Sequence, residues 1–272
     1  MKKLIAMLLA LVMVVGLAAC SQKAPEAAPE AAPEVLPAPE AAPETEPATE
    51  PAPEEESEAE EPADVAVMSH ADYVAAELDA EVVIEACVQA TQGWWFDSDA
   101  GHGKITVYAQ DQDGAYFLYE LACSEEDAAK LVPGTKIRVT GYKGEWAGEV
   151  EVMDGTFEFV DDGETFIAEA LDVTDLLTSE ELIAHQNEFV AFSGMTVKAI
   201  EYKNGEPGDD IYVTLEKDGA EYSFCVEIYL TGPDTEVYTT VGELAEGDVV
   251  NVEGFLYWYE GMNPHITAIT KI

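Results

Sequence analysis

"LVPGTKIRVTGYKGEWAG", residues 131–148, recurs as "LAEGDVVNVEGFLYWYEG", residues 244–261. Gly134, Gly141 and Gly148 of the first stretch are matched by Gly247, Gly254 and Gly261 of the second, and Ile137 and Val139 by Val250 and Val252. Alternating apolar residues read as a strand with one buried face, and glycines at fixed points along it read as places where the backbone bends sharply or passes another strand closely. A frame carried twice marks a duplicated unit.

Working outward, strand signals dominate from Glu81: "EVVIEACVQA", "KITVYAQ" with Ile105, Val107 and Ala109 on one face, and "AYFLYEL". Asp113-Gly114 separates the second and third runs, and an Asp-Gly pair there predicts a type I′ hairpin with positive φ at both turn residues. "SEEDAAKLV" follows, with Ser124 and Asp127 in capping relation ahead of a short helix, and then "KIRVTGY" and "GEVEV". Strand, hairpin, helix, strand, strand is the element order of an OB-fold, a five-stranded Greek-key barrel. The second half repeats it with "EFVAFSGMTV", a turn at Asp218-Gly219, "GDVVNVEGFLYWYEG" and "PHITAITKI". "TSEELIAHQ", with Thr178 and Glu181 as a capping pair, reads as a connecting helix.

The N-terminal segment sets a compartment. Lys2 and Lys3 precede an apolar run from Leu4 to Val15, too short for an ordinary membrane span and patterned as a signal peptide over residues 1–19. The run ends in Leu17-Ala18-Ala19-Cys20, similar to the lipobox of bacterial lipoproteins, which implies that Cys20 is acylated (diacylglycerol, palmitate) and becomes the mature N-terminus. Ala24 to Ala63 is repeated Ala-Pro-Glu with no aromatic residue, a composition that builds no core. Residues 20–66 are therefore expected to be a disordered linker, residues 67–164 a first barrel, and residues 165–272 a connecting helix and a second barrel. Cys87, Cys123 and Cys225 lie in or beside apolar strands without metal-type spacing and read as buried thiols.

Taken together, the G-x-x-[IV]-x-V-x-G strand, the Asp-Gly hairpin and the lipobox resemble the tandem OB-fold lipoproteins of Gram-positive anaerobic bacteria, over the whole chain beyond the linker. The resemblance implies an all-β chain with short helices, two tandem five-stranded barrels, and a lipid anchor in the cell membrane facing outward. It supplies no catalytic residues.

The formal charge is −44; from residue 65 onward 42 acidic residues stand against 9 basic ones. Nucleic-acid binding draws affinity from lysines and arginines that displace counterions from phosphates, and Arg138 is the only arginine. On that ground nucleic acid is disfavoured as a partner, with Lys136, Arg138 and Lys143 as the sole basic stripe. OB-folds bind through strands 2 and 3 and through the 1–2 and 4–5 loops, where the aromatics fall: Trp94, Trp95 and Phe96 in the first 1–2 loop, Tyr142 and Trp146 near the first 4–5 turn, and Tyr257, Trp258 and Tyr259 in the second. Trp94, Trp95, Tyr142, Trp146, Tyr257, Trp258 and Tyr259 are thus the candidate ligand-binding residues, fitted to a neutral glycan or a peptide by stacking. The alternative is that these rings plug barrel mouths or bury the contact between barrels. Asp97, Asp99 and His102 lack the further acids of a calcium loop, and no metal or cofactor is assigned. With no phosphate loop, no G-x-S-x-G and no H-E-x-x-H, the expected role is a non-catalytic binding module; an OB-fold nucleic-acid-binding protein and a structural envelope component are the alternatives.

Overall fold

The computed structural model describes residues 66–272; the signal segment, Cys20 and nearly all of the Ala-Pro-Glu linker lie outside the described residues. The first half runs α1 (His70–Ala75), β1 (Glu81–Thr91), β2 (Trp95–Asp97), β3 (His102–Gln110), β4 (Ala115–Ala122), α2 (Glu125–Ala128), β5 (Lys136–Trp146) and β6 (Glu149–Phe159). Its strands are ordered β1-β5-β6-β4-β3-β2, and β1 also pairs with β3, which closes the sheet on itself. Neighbours are antiparallel except β4 and β6. The second half runs β7 (Leu171–Asp172), β8 (Phe189–Tyr202), β9 (Ile211–Lys217), β10 (Ala220–Val226), α3 (Ile228–Thr231), α4 (Glu236–Glu243), β11 (Val249–Phe255) and β12 (His265–Lys271). It closes the same way, in the order β11-β12-β10-β9-β8-β7 with β11 on β8 and a parallel β10–β12 contact. These are two tandem OB-fold-like barrels, each with one short strand, β2 or β7, beyond the five expected.

The recurring frame has the same job in both. Gly134 and Gly247 have φ of +88° and +89°, and each donates its N–H to a carbonyl of its own barrel's long opening strand, Val88 of β1 and Val197 of β8, at 2.8 Å. That backbone conformation is one only glycine adopts without strain. Gly141 and Gly254 sit at matching irregularities of register, between Thr140 and Tyr142 in the first barrel and between Glu253 and Gly254 in the second. The two bulges bend β5 and β11 so that each can pair with both its neighbours.

Each barrel has its own core. Val82, Ile84, Val107, Leu118, Leu121, Ile137 and Val139 fill the first, and Val190, Phe192, Val213, Leu215, Phe224, Val250 and Ile266 the second. Full burial of such a side chain stabilises by about 1.5–3 kcal/mol. A third cluster of Tyr108, Phe117, Phe255 and Tyr257 joins residues of the two barrels. Cys87, Cys123 and Cys225 are buried free thiols.

Local differences from the sequence expectations have local causes. Asp218 and Gly219 have φ of 54° and 84°, as a type I′ turn requires. Asp113-Gly114 does not: Asp111 Oδ1 accepts from the N–H of Asp113 and of Gly114, and Asp111 N donates to Gly114 O, so an Asx turn one step earlier makes the hairpin. Ser124 caps α2 as expected, accepting from Asp127 N at 3.1 Å. The connecting segment Glu180–His185 is a 3-10 helix, capped by Ser179 on Glu181 N rather than by Thr178. The tighter helix brings the cap one residue forward.

Candidate functional site

Alternation along β6 places Val150 and Val152 toward the first core, which turns Glu149 and Glu151 to the barrel's outer face. In an isolated barrel those carboxylates would meet water. Here the second barrel covers them, and Glu149 is fully buried and Glu151 only 5% exposed. Glu149 Oε2 accepts from Trp258 N at 2.8 Å and from Gln186 Nε2 at 3.1 Å, while Asn187 Nδ2 donates to Val150 O. Burial lifts the Glu149 carboxyl to about 8. Glu149 Oε1 and Asn187 Oδ1 are both left without a partner among the described residues, and the Asn187 side chain favours the charged carboxylate against the larger effect of burial. With burial as the dominant effect, the Glu149 carboxyl is mostly protonated at pH 7.

Beside this contact opens a cleft of about 800 Å³, walled by β4 and β6 of the first barrel and by β9, β10 and the Leu256–Pro264 loop of the second. Phe117 and Tyr119 share one face of β4 toward it, as do Glu151 and Met153 of β6. His265, at the start of β12, forms part of the opposite wall. Its Nδ1 lies 2.6 Å from Tyr108 Oη, and its ring stacks on Tyr257 with centroids 4.2 Å apart. Burial lowers its pKa to about 3, so the imidazole is neutral. Gln92 Nε2 donates to the same Tyr108 hydroxyl at 3.5 Å.

Of the candidate aromatics, the structure brings Trp146, Tyr257 and Tyr259 together along the cleft. Trp146 and Tyr259 pack with centroids 5.2 Å apart and remain about half exposed. Tyr257 is buried against Phe117. Trp258 turns the other way, packing on the second core and over Gly148, where a Cβ would stand 2.8 Å from its Cδ1. Trp94 packs on the first core and donates from Nε1 to Cys123 O at 2.9 Å. Trp95 is exposed beneath Lys104, and Tyr142 is exposed on β5; neither lines the cleft. Asp97 is engaged by Lys104 and by the N–H groups of Asp99 and Ala100, which holds its carboxyl down at about 2.

The basic stripe is committed internally. Lys136 pairs with Glu85, Asp162 and Glu164, and Arg138 with Glu85 and Glu158. Lys143 is buried and donates from Nζ to the carbonyls of Tyr73, Val74 and Ala76, satisfying the open C-terminal end of α1. Glu227, Tyr119 and Tyr212 carry no signal of a site in the sequence, and His265, set apart from the other histidines, reads there as structural or solvent-facing. For Glu149 and Glu151 a signal existed in the alternation of "GEVEV", two acids on one face of a strand, but nothing local says that a second barrel will cover that face.

No protein-family model matches the chain, and no curated protein is significantly similar to it. Solved structures are similar to it at low identity. The p204 HINb domain is 13% identical, with 72% of this chain and 100% of that one covered and a TM-score of 0.34. A murine DNA-binding protein bound with double-stranded DNA is 11% identical, covering 70% and 95%, with a TM-score of 0.35. A replication protein A heterotrimer bound to single-stranded DNA is 13% identical, covering 71% and 48%, with a TM-score of 0.29. The expectation that disfavoured nucleic acid as a partner is corrected here, two of these similar structures being of proteins bound to double-stranded and to single-stranded DNA. The physical gap in that expectation is that counterion release covers only the phosphate part of binding, whereas base stacking on aromatic rings needs no net positive charge.

Proposed function

We propose that the chain is a non-catalytic binding protein whose ligand enters the cleft between its two OB-fold-like barrels. The observation that carries this reading is the cleft itself, about 800 Å³ with the rings of Trp146, Tyr257 and Tyr259 and the buried carboxylate of Glu151 on its walls. That volume and that mixture of rings with a few polar groups are those of a ligand site. The barrels are held to each other by the aromatic cluster and by bonds such as Gln110 Oε1 accepting from Phe189 N at 2.9 Å, so the walls are pre-formed. The test is a thermal-shift screen of nucleosides, single-stranded oligonucleotides and small charged and uncharged compounds against the wild type and Trp146→Ala. Ligands whose shift is lost in the variant support the cleft; a screen in which every hit binds both proteins equally overturns it.

A second reading, nucleic-acid binding, is supported by the exposed rings at the cleft: Tyr119, Trp146, Tyr212 and Tyr259 offer faces on which bases stack. Its signature would be quenching of tryptophan fluorescence by single-stranded DNA or RNA that is weakened in Trp146→Ala.

Attachment to a membrane through Cys20 belongs to the same proposal and rests on the lipobox-like Leu17-Ala18-Ala19-Cys20. In Cys20→Ala the precursor is expected to stay unprocessed or the protein to be released from the membrane fraction. Unchanged processing and retention, read by metabolic labelling with palmitate and by fractionation, would remove the anchor.

A further inference from the structure

The side chains of the cleft do not balance in charge. Glu145, Glu151, Asp210 and Glu227 line it, and no lysine or arginine does. Two of these acids are already satisfied. Asp210 accepts from Lys203 Nζ at 2.8 Å and from Ile228 N at 3.0 Å, and Glu227 accepts from the N–H groups of Tyr229 and Leu230. Glu145 stands at the open rim and keeps its water. Glu151 differs from all three: it is 95% buried, lines the cleft, and makes no side-chain hydrogen bond or ion pair with the described residues. Its oxygens are not among the fully enclosed ones, so they face the cleft, and burial of the rest of the side chain, with Glu120 nearby, lifts the carboxyl to about 7, a state that a neighbouring cation would turn back toward the charged form. A carboxyl that faces the cleft with no partner from the described residues is open to one that arrives from outside.

The rest of the wall narrows what that partner is. The faces of tyrosine and tryptophan rings carry negative quadrupole charge and attract cations, most strongly where water is excluded. Trp146, Tyr257 and Tyr259 supply such rings, and His265, neutral, adds no competing positive charge. The surrounding folded part, with 42 acidic and 9 basic residues from residue 65 onward, draws positive ligands in.

We infer that the cleft takes a small organic cation, an ammonium group held among the rings of Trp146, Tyr257 and Tyr259 with Glu151 as its counter-ion. This rests on the proposal that the cleft is the binding site and gives that site a ligand class.

The full-length mature protein should be titrated by calorimetry with choline and with its uncharged isostere 3,3-dimethyl-1-butanol, which has the same shape without the charge. Choline is expected to bind saturably and at least about tenfold more tightly than the isostere. Glu151→Gln should weaken choline by about tenfold or more and leave the isostere unchanged, while Trp146→Ala, a change at an exposed ring that does not threaten folding, should weaken choline as well. Equal binding of the two isosteres, or no choline binding up to about 10 mM in the wild type, overturns the inference. Binding of another ligand class, single-stranded DNA included, that Trp146→Ala abolishes would overturn the cation and leave the cleft standing as the site. Ligands that all ignore Trp146→Ala would bring down both.

Discussion

Glu149→Gln is expected to make the protein more stable, and the gain should grow with pH. Burial lifts the Glu149 carboxyl from 4.5 to about 8, so the folded protein holds a proton that the unfolded chain releases. Stability from this group is therefore complete below about pH 4.5, falls as pH rises, and is lost in full above about pH 8. The shift corresponds to roughly 5 kcal/mol at the alkaline plateau. Glutamine keeps the accepting oxygen for Trp258 N and Gln186 Nε2 and has no charge to bury, so the variant should lack this part of the decline. Urea unfolding at about pH 5 and about pH 9 measures it: the two proteins should differ little at the first pH and by several kcal/mol at the second. Curves that stay parallel would show that Glu149 is ionised in the folded state.

Gly254→Ala is expected to be the most damaging single methyl in the second barrel. A Cβ there would run into the carbonyl oxygen and carbon of His265, which are backbone atoms of the neighbouring strand and cannot rotate away. At the equivalent Gly141 the Cβ would stand 2.7 Å from Val152 Cγ1 and 2.8 Å from Met153 O, a milder collision because one partner is a side chain. Overpacking of this kind costs about 1–3 kcal/mol and more where the backbone must move, so Gly254→Ala should cost about 3 kcal/mol or more and Gly141→Ala less. Gly93→Ala, with nothing within 4 Å, serves as the control and should lie within about 0.5 kcal/mol of wild type. A Gly254→Ala protein as stable as the control would mean that β11 and β12 do not approach as closely as described.

The barrels were legible because what builds them is local or repeats. Alternation assigned the strands from Glu81 onward, and the matched glycines marked places of sharp bending or close approach, two of which, Gly141 and Gly254, lie at equivalent bulges. The two Asp-Gly pairs mark where that kind of legibility stops, since one dipeptide makes a type I′ turn at Asp218 and leaves the other hairpin to Asp111. The site was less legible still. Its walls come from contacts between residues far apart in the chain, such as Tyr108 with His265 and Trp258 with Glu149. Loop aromatics marked Trp146, Tyr257 and Tyr259, which do reach the cleft, but gave no means of separating them from Trp94, which serves the first core. Lys143 was read as part of a basic stripe; its partners are carbonyls of α1, some 70 residues earlier, which no pattern along β5 announces.

That lysine also determines how the molecule meets force. Tension applied from the N-terminal side reaches α1 before any strand, and α1 is a helix of six residues. Lys143 Nζ grips the far end of it through the carbonyls of Tyr73, Val74 and Ala76, and Met68 N adds a bond to Val83 O at 2.7 Å. These bonds act as a latch loaded before the barrel itself: stretching from that end should detach α1 as a first, separate event, while β1, paired on both sides with β3 and β5, bears the load only afterwards.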